Sequence, residues 1–383
     1  METAELMEIL ERGEDSQHQF KTNITNADSL ASEFVAFSNG QGGKMFIGVS
    51  DDGLISGLTS EDIHRLNQLI SNTASQGVQP AINPVTENIK TAQGLVMVVD
   101  VPPGINKPYQ DRNGAFWVKS GADKRKATSR EEIQRLFQKA NLLHADELPV
   151  VGATIVDLDV EYFGWFFDKK FGTSLEKQKI PLPDTLRNMN LLRDDCLTIG
   201  GVLLFAKDPH FKLPAFVVKS CAFDDVNVIS NNYTDKREIK GKLDEMFNQT
   251  VGFVLANIRH VQGNQGFNSV GIPEIPRAAI EELVVNALVH RDYFISAPIR
   301  VFVFRDRVEI ISPGHLPNNL AVDNIKSGNS NVRNSVLASY AYHLLPYSGI
   351  GSGILRALEA YPKIDFIDDR EGNTFKVIIH RGG

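Results

Sequence analysis

Glu282 and Asn286 have the residue types and spacing that most directly suggest chemistry. They lie four residues apart in a stretch predicted as a helix over residues 277–291, so their side chains share one face of that helix. His290 continues the face by one more turn. A carboxylate and an amide oxygen stacked in this way can hold Mg²⁺, which prefers oxygen ligands, or can position a water molecule beside it. A surface helix whose polar face happens to read E-x-x-x-N is the alternative that the pair alone leaves open.

Glycine-rich turns follow this helix. One turn reads Ser-Pro-Gly at residues 312–314, and another places Gly349, Gly351 and Gly353 where a further helix is predicted to begin. Glycines allow backbone N–H groups to approach phosphate oxygens closely, and the start of a helix favours an anion. A carboxylate–amide helix, two glycine turns and a terminal strand, in this order, predict a nucleotide-binding module in the last third of the chain.

The elements that must position these residues fall into three regions, 1–140, 141–272 and 273–383. The first has the pattern of an α/β domain, the second is mixed, and a Gly-rich stretch at 263–271 is predicted as a linker or loop. Apolar periodicity predicts helices from Ser29 onward and at residues 60–76, 129–139, 159–171, 186–192, 239–260, 277–291 and 353–361. Short apolar runs predict strands at residues 44–49, 95–101, 116–119, 197–207, 215–223, 299–304, 307–311 and 375–379.

Composition limits the class of protein. The 383 residues carry a net charge of −7, with 42% hydrophobic and 23% charged residues, which is ordinary for a soluble globular protein. No apolar stretch reaches about 18 residues, so we expect no membrane span, and METAELMEIL lacks the features of a secretory signal. Cys196 and Cys221 are too few for a disulfide framework or a zinc site, and we interpret them as buried thiols in a reducing cytoplasm.

A basic cluster lies between two hydrophobic segments of the first region. The negative net charge gives no general attraction to nucleic acid, so any nucleic-acid binding requires a local basic surface of this kind. A solvated turn followed by the start of a helix is the alternative that charge alone leaves open. The cluster consists of Lys119, Lys124, Arg125, Lys126 and Arg130.

Several segments resemble bacterial Schlafen AlbA-type proteins that carry a divergent histidine-kinase-type ATPase module, a group also described as RecG-like or as transcriptional regulators. EELVVNALVHRDY, RVEIISPGHLP, RNSVLASY and GIGSGI resemble the ATPase module. The segment from GEDSQHQF to VSDDG resembles the AlbA-type domain, and the stretch from EYFGWFFDKKFG to GVLLFAK resembles the middle region. The resemblance covers nearly the whole chain. It implies an α/β (α+β) fold with an N-terminal Schlafen/AlbA-type domain, a mixed middle region and a C-terminal Bergerat-type, GHKL-like α/β sandwich.

This resemblance implies ATP and Mg²⁺ as cofactors and assigns roles to the residues above. Glu282 would be the general base for the hydrolytic water and Asn286 the Mg²⁺ ligand, while His290 and Arg291 would lie near the phosphates. Gly349, Gly351 and Gly353 would wrap the phosphates, and a lid over the nucleotide would include Asn329, Arg333 and Asn334.

Ser312, Pro313 and Gly314 stand where the kinase and gyrase relatives carry an Asp-x-Gly motif that reads the adenine amino group. That Asp is missing here. Recognition of adenine, and a preference for ATP over GTP, therefore follows from the resemblance alone.

Schlafen-type nucleases hold a metal ion with three acidic side chains, and the matching positions are Glu14, Gln19 and Asp51. Gln19 departs from the pattern because a neutral amide adds no charge and binds a hard cation poorly. We therefore expect nucleic-acid binding rather than nuclease activity, with Lys21 and the basic cluster contacting backbone phosphates. A solvated helix end at Glu14 and an ordinary turn at Asp51 are the alternative.

The leading hypothesis is an ATP-binding, slowly hydrolysing, nucleic-acid-associated regulator whose nucleotide state modulates how the AlbA-type domain engages DNA or RNA. The alternatives are a metal-dependent nuclease regulated by ATP, for example in phage defence, and a nucleotide-binding oligomeric scaffold. We expect a homo-oligomer in the cytoplasm, and an operon-encoded protein is a further candidate partner. Because the sequence ends at Gly383, directly after the last predicted strand, we expect no C-terminal winged helix of the kind that many relatives carry, which weakens a role as a transcription factor.

Overall fold

The structure is a computed structural model that describes residues 1–140, 142–227, 233–262, 271–317, 320–349 and 351–382. It combines helices with several sheets, which confirms the predicted α+β class. Its contacts divide the chain into two compact units, Met1–Leu143 and His144–Gly383, called here the N-terminal and C-terminal units. Within the described residues, no helix is both long enough and apolar enough to cross a lipid bilayer.

The N-terminal unit is built on a four-stranded sheet in the order β1-β2-β5-β4, in which β1 and β2 are parallel and the other pairs antiparallel. Strand β5 is largely buried because α2 and α3 cover one face of the sheet and α1 the other, as its continuous apolar run predicts. The elements are α1 (Thr3–Arg12), β1 (His18–Lys21), α2 (Ala27–Asn39), β2 (Gly43–Ile47), α3 (Ser60–Asn72), β3 (Val78–Gln79), β4 (Val85–Thr91), β5 (Gly94–Val101), β6 (Gln110–Asp111), β7 (Trp117–Ser120), β8 (Asp123–Lys126) and α4 (Arg130–Lys139).

The turn from α2 into β2 holds the sheet close to the segment that leads into β1. Asn26 caps α2, since its side chain accepts hydrogen bonds from the backbone N–H groups of Asp28 and Ser29. Strand β2 begins at Gly43, where an added Cβ would lie 2.7 Å from the carbonyl oxygen of Gln17. Only glycine therefore allows this close approach, which sets the position of β1.

The C-terminal unit contains a six-stranded sheet in the order β12-β11-β15-β16-β18-β17, in which β11 and β15 are parallel and the other pairs antiparallel. The elements are α5 (Val160–Phe171), α6 (Leu182–Asn188), β9 (Leu192–Arg193), β10 (Cys196–Leu197), α7 (Ile199–Phe205), α8 (Pro209–Lys212), β11 (Val218–Phe223), β12 (Tyr233–Ile239), α9 (Leu243–Asn257), β13 (His260–Val261), β14 (Ile272–Pro273), α10 (Arg277–His290), β15 (Ile299–Val303), β16 (Arg307–Pro313), α11 (Val322–Lys326), α12 (Ser335–Leu344), α13 (Gly353–Ala360), β17 (Ile364–Asp369) and β18 (Thr374–His380).

This sheet joins two of the regions distinguished in the sequence. Strands β11 and β12 come from residues 141–272, and the other four come from residues 273–383. Residues from both regions also share one hydrophobic core. The boundary drawn at residue 272 therefore runs through a single compact unit.

Helix α10 carries the Glu282 face and is anchored by its other side. Leu283, Val284 and Leu288 are buried, and the helix packs against β16, α9 and α13. Its bounds agree with the predicted span of 277–291 to within one residue. The polar side chains are thus held on an element that is fixed by core packing.

Two expectations from the sequence are wrong. Residues 197–207, predicted as a strand, form the end of β10 and then helix α7, whose cap Thr198 accepts a hydrogen bond from the backbone N–H of Gly201. Because residues 200–205 are all buried, their unbroken apolar run does not distinguish a strand from a helix. Cys196 and Cys221 are free thiols, as expected, but they are half-buried rather than buried. The predicted linker at 263–271 lies, apart from Gly271, outside the described residues.

Candidate functional site

A cavity of about 1030 Å³, measured with its open mouth, lies in the C-terminal unit between α10, β16 and the glycine-rich loops. Its lining is mostly apolar with a few convergent polar groups, which is the usual character of a small-molecule site. The cavity brings together residues that are far apart in the sequence. Of those singled out above, it is lined by Glu282, Asn286, His290, Ser312, Gly314, Asn329, Arg333, Gly349, Gly351 and Gly353.

Asn286 is held in a fixed orientation on α10. Its Nδ2 donates a hydrogen bond to the backbone carbonyl oxygen of Glu282, 2.7 Å away. This hydrogen bond fixes the amide plane and leaves the Oδ1 oxygen available to a ligand. An amide oxygen beside a carboxylate is a donor set that suits Mg²⁺.

The start of α13 lies close to the polar face of α10. A Cβ added at Gly353 would lie 2.5 Å from Glu282 Oε2 and 3.1 Å from Asn286 Nδ2. Gly351 has a φ of +78°, and a Cβ there would lie 2.5 Å from the carbonyl oxygen of Gly328. The glycines therefore bring backbone and the first turn of a helix next to the carboxylate, an arrangement that suits an anion near a bound cation.

His290 is a neutral hydrogen-bonding group in the cavity wall. Its Nε2 lies 3.1 Å from the hydroxyl oxygen of Tyr347. Desolvation lowers the pKa of His290 to about 4, and the positive charge of Arg333 acts in the same direction. Near neutral pH the ring therefore carries no charge and offers a ligand hydrogen bonds rather than a cation.

Arg291 and Asn334, expected near the phosphates and in the lid, do not line the cavity. Arg291 is only 2% exposed, and its Nη2 donates to the carbonyl oxygens of Ile295 and Ala297. Asn334 is fully buried, and its Nδ2 donates to the carbonyl oxygens of Val289 and Arg291. Both side chains stabilise the chain reversal after α10. Helical spacing alone indicates that Arg291 lies outside the cavity, because Arg291 directly follows His290 and is therefore off the face that Glu282 and Asn286 share.

The far end of the cavity is apolar and ends at β16 and β18. Ser312 donates from its Oγ to the carbonyl oxygen of Ala287, 3.3 Å away. Arg333 lies nearby and donates from Nη2 to the carbonyl oxygen of His315, 2.7 Å away. These surfaces could enclose a flat, weakly polar ring. The apolar lining includes Leu283, Ile310, Leu316, Leu320, Ile325, Phe375 and Val377.

Arg356 is a site residue that the sequence reasoning missed. From α13, its Nε donates to Glu282 Oε1 at 3.0 Å, and its Nη2 donates to the same oxygen. Nη2 also donates to Ser348 Oγ, 3.1 Å away. An arginine three residues after Gly353, in the first turn of a predicted helix, was the signal that could have identified it.

Glu14 and Gln19, two of the three positions matched to a nuclease site, belong to a hydrogen-bonded chain in the N-terminal unit. Gln19 Nε2 and the backbone N–H of Phe20 each donate to Glu14 Oε1 at 2.6 Å. Lys119 Nζ donates to Gln19 Oε1 at 2.7 Å, so an ammonium group lies at the amide. Asp51 lies on the exposed turn after β2. Among the described residues, no group of three or more His, Cys, Asp or Glu is placed to hold a metal ion.

The basic cluster is largely matched by carboxylates. Lys124 Nζ lies 2.7 Å from a carboxylate oxygen of the buried Glu33, and Lys119 Nζ lies 3.9 Å from the other. Two further pairs join Arg125 to Glu132 and, at 3.9 Å, Lys21 to Glu14, whereas Lys126 is exposed on β8. The surface is therefore less positive than the run of lysines and arginines suggests.

Comparison with known proteins adds two domain types. Residues 14–128 match the family described as "Schlafen, AlbA_2", and residues 296–379 match the family described as "Putative ATP-dependent DNA helicase recG C-terminal". The chain carries a Schlafen AlbA_2 domain and a RecG-type C-terminal domain. The description of the second family names an ATP-dependent DNA helicase. The second match begins after α10, so Glu282 and Asn286 lie outside the matched residues. They are associated with the RecG-type domain because they line the same cavity as residues within the match.

Similar solved structures are distant. The crystal structure of the DIP2311 protein from Corynebacterium diphtheriae is 20% identical, with 96% of this chain and 65% of that chain covered and a TM-score of 0.45. This chain thus spans 65% of the length of that protein. The N-terminal domain of a RecG-related helicase protein from Nitrosomonas europaea is 21% identical, with 34% and 97% covered and a TM-score of 0.23. No curated protein matches the chain.

Proposed function

We propose that the cavity of the C-terminal unit binds ATP with Mg²⁺, and that the nucleotide state modulates how the AlbA_2 domain engages DNA or RNA. One observation carries the nucleotide assignment: Gly353 brings the start of α13 against the Glu282–Asn286 pair inside a cavity that is open to solvent. The RecG-type match at residues 296–379 supports the same ligand class.

Each part of the cavity suits one part of the ligand. The apolar end near Ile310 and Phe375 suits the base, and the loop that contains Gly351 and Gly353 suits the phosphates through backbone N–H groups. Asn286 Oδ1 would hold Mg²⁺, which when bound would neutralise phosphate charge. Glu282 is then the carboxylate placed to accept a proton from a water molecule at the terminal phosphate.

Titration calorimetry with ATP and Mg²⁺ tests this proposal. We expect binding to the full-length protein and a large loss of affinity in Asn286→Ala. A matched control is Asn257→Ala, because Asn257 also donates from Nδ2 to the carbonyl oxygen four residues earlier, that of Phe253, but lies on α9 outside the cavity lining. A wild-type protein that binds no nucleotide would overturn the proposal, and equal losses in both variants would remove Asn286 from the site.

The nucleic-acid part rests on the AlbA_2 match, and its test is binding of single- and double-stranded DNA and RNA at low salt, with and without ATP. The ATP-regulated nuclease has less support, because the neutral Gln19 stands at one of the three carboxylate positions and the ammonium group of Lys119 bonds to it, where a metal ion would need negative charge. The scaffold alternative predicts a nucleotide-dependent change in oligomer size without phosphate release.

A further inference from the structure

The ion pair between Glu282 and Arg356 places a cation directly on the carboxylate of the proposed ATP site. Arg356 Nε and Nη2 both donate to Glu282 Oε1, and Nη2 also donates to Ser348 Oγ. The Glu282 side chain is 12% exposed and that of Arg356 is 42% exposed. Because both Glu282 and Ser348 line the cavity, the guanidinium group lies at its edge and remains accessible from solvent.

This contact is incompatible with a base function for the same oxygen. While two N–H donors occupy Glu282 Oε1, that oxygen cannot also accept a proton from water. The guanidinium itself stays charged and cannot accept the proton instead. In the arrangement observed, the site is therefore closed to water activation at Oε1.

A terminal phosphate would compete for the same guanidinium. Gly353 lies against Glu282, so phosphates held by the loop before α13 would lie next to the Arg356–Glu282 pair. Guanidinium groups bind phosphate oxygens through two parallel hydrogen bonds, and a terminal phosphate carries more charge than a carboxylate. The side chain of Arg356 starts in the first turn of α13, which is the helix end that favours anions.

We propose that Arg356 is the positioning residue that distinguishes ATP from ADP: it leaves Glu282 for the terminal phosphate of ATP and so frees Glu282 Oε1 for a water molecule. This inference rests on the proposed function. ADP lacks this third phosphate, so with ADP bound Arg356 stays on Glu282. The same exchange gives the site two arrangements that differ with the nucleotide.

Binding of ATP and ADP to Arg356→Gln tests the inference. We expect ATP affinity to fall about 10- to 100-fold, the effect of one charge-assisted hydrogen bond, while ADP affinity changes little. Arg356→Lys should recover part of the preference for ATP, since it keeps the charge without the fork. The matched control is Arg277→Gln, because Arg277 pairs with Glu281 at 2.6 Å on α10 but lies outside the cavity lining.

The outcomes separate the two proposals. If Arg356→Gln weakens the binding of ATP and ADP equally, or weakens the binding of neither, the role of Arg356 is overturned while the nucleotide site stands. If wild type and Arg277→Gln bind neither nucleotide, the proposed function fails and this inference fails with it. Glu282→Gln gives an independent test: it should bind ATP more tightly, because the carboxylate no longer competes for Arg356, and should release less phosphate. Unchanged or weaker ATP binding by Glu282→Gln would contradict the exchange.

Discussion

Gly353→Ala is the substitution that most directly tests whether α13 must approach α10 for the site to work. The new Cβ would lie 2.5 Å from Glu282 Oε2, closer than the 3.0 Å that real Cβ atoms respect, so the carboxylate has to move. Moving it off its rotamer costs about 0.5–1.5 kcal/mol, and losing its partly exposed pair with Arg356 costs up to about 1 kcal/mol. Alanine offsets this by about 1 kcal/mol through its higher helix propensity.

The free energy of unfolding should therefore fall by at most about 1.5 kcal/mol, and by about 0.5 kcal/mol at the midpoint of these ranges, which lowers Tm by about 1–2 °C for a unit of this size. ATP affinity should fall much more, by about tenfold or more, because the carboxylate and the Asn286 amide are both displaced. Calorimetry at matched folded fraction measures this. The control is Gly252→Ala on α9, where an added Cβ meets nothing within 4 Å. We expect this control to gain about 0.5–1 kcal/mol in stability and to bind ATP as wild type does. If Gly353→Ala also binds ATP as wild type does, the reasoning is refuted.

Three further predictions concern other parts of the molecule. Lys119→Met should lower the free energy of unfolding, measured in urea, by about 1–3 kcal/mol, because the Gln19 side-chain oxygen loses its donor. Gln19→Glu alone should bind no Mn²⁺ while Lys119 is present. Burial raises the pKa of Asp146 from 3.8 to about 6, so the stability that Asp146 contributes in its protonated form is lost as pH rises from about 4 to 6. The pKa of His290 is lowered from 6.5 to about 4, so His290 makes the protein more stable as pH rises through the same range. Asp146→Asn removes this loss, so between about pH 4 and 6 the stability of the variant relative to wild type should increase by about 3 kcal/mol. Thermal melts of both proteins at each pH measure the difference, and a difference that does not change with pH would contradict the prediction. Asn334→Ala should lose about 1–3 kcal/mol of stability by leaving two buried carbonyl groups unpaired, yet ATP affinity at equal folded fraction should not change.

Spacing along one element was enough to predict much of the C-terminal site. The positions 282, 286 and 290 share a helix face, and all three side chains line the cavity. Helix α10 and strand β18 were also predictable, because α10 is a run of good helix formers after Pro276 and β18 is a short run rich in β-branched and aromatic residues. In each case the information is local, within about 15 residues, where helix and strand geometry determine which side chains lie together.

What the sequence could not reveal depends on which elements meet. Arg356 is 74 residues from Glu282, and Lys124 is 91 residues from Glu33, so no spacing rule connects either pair. The lysines and arginines of the N-terminal unit look like an open basic surface until Glu33, on a largely apolar helix, is placed beside them. Asn334 likewise looks like a lid residue until its burial against α10 is known.

A regulator of the proposed kind must do more than bind two ligands. Binding linkage is reciprocal, so if ATP changes the affinity for nucleic acid by a given factor, nucleic acid must change the affinity for ATP by the same factor. A ligand that binds two arrangements equally shifts neither, so ATP must act through a difference that ADP does not produce. The exchange of Arg356 between Glu282 and the terminal phosphate would be such a difference. The coupling between nucleotide and nucleic-acid binding should then be present with ATP and absent with ADP. It should also be absent in Arg356→Gln, even at nucleotide concentrations that saturate the variant. Coupling that survives in this variant would mean that some other contact senses the nucleotide.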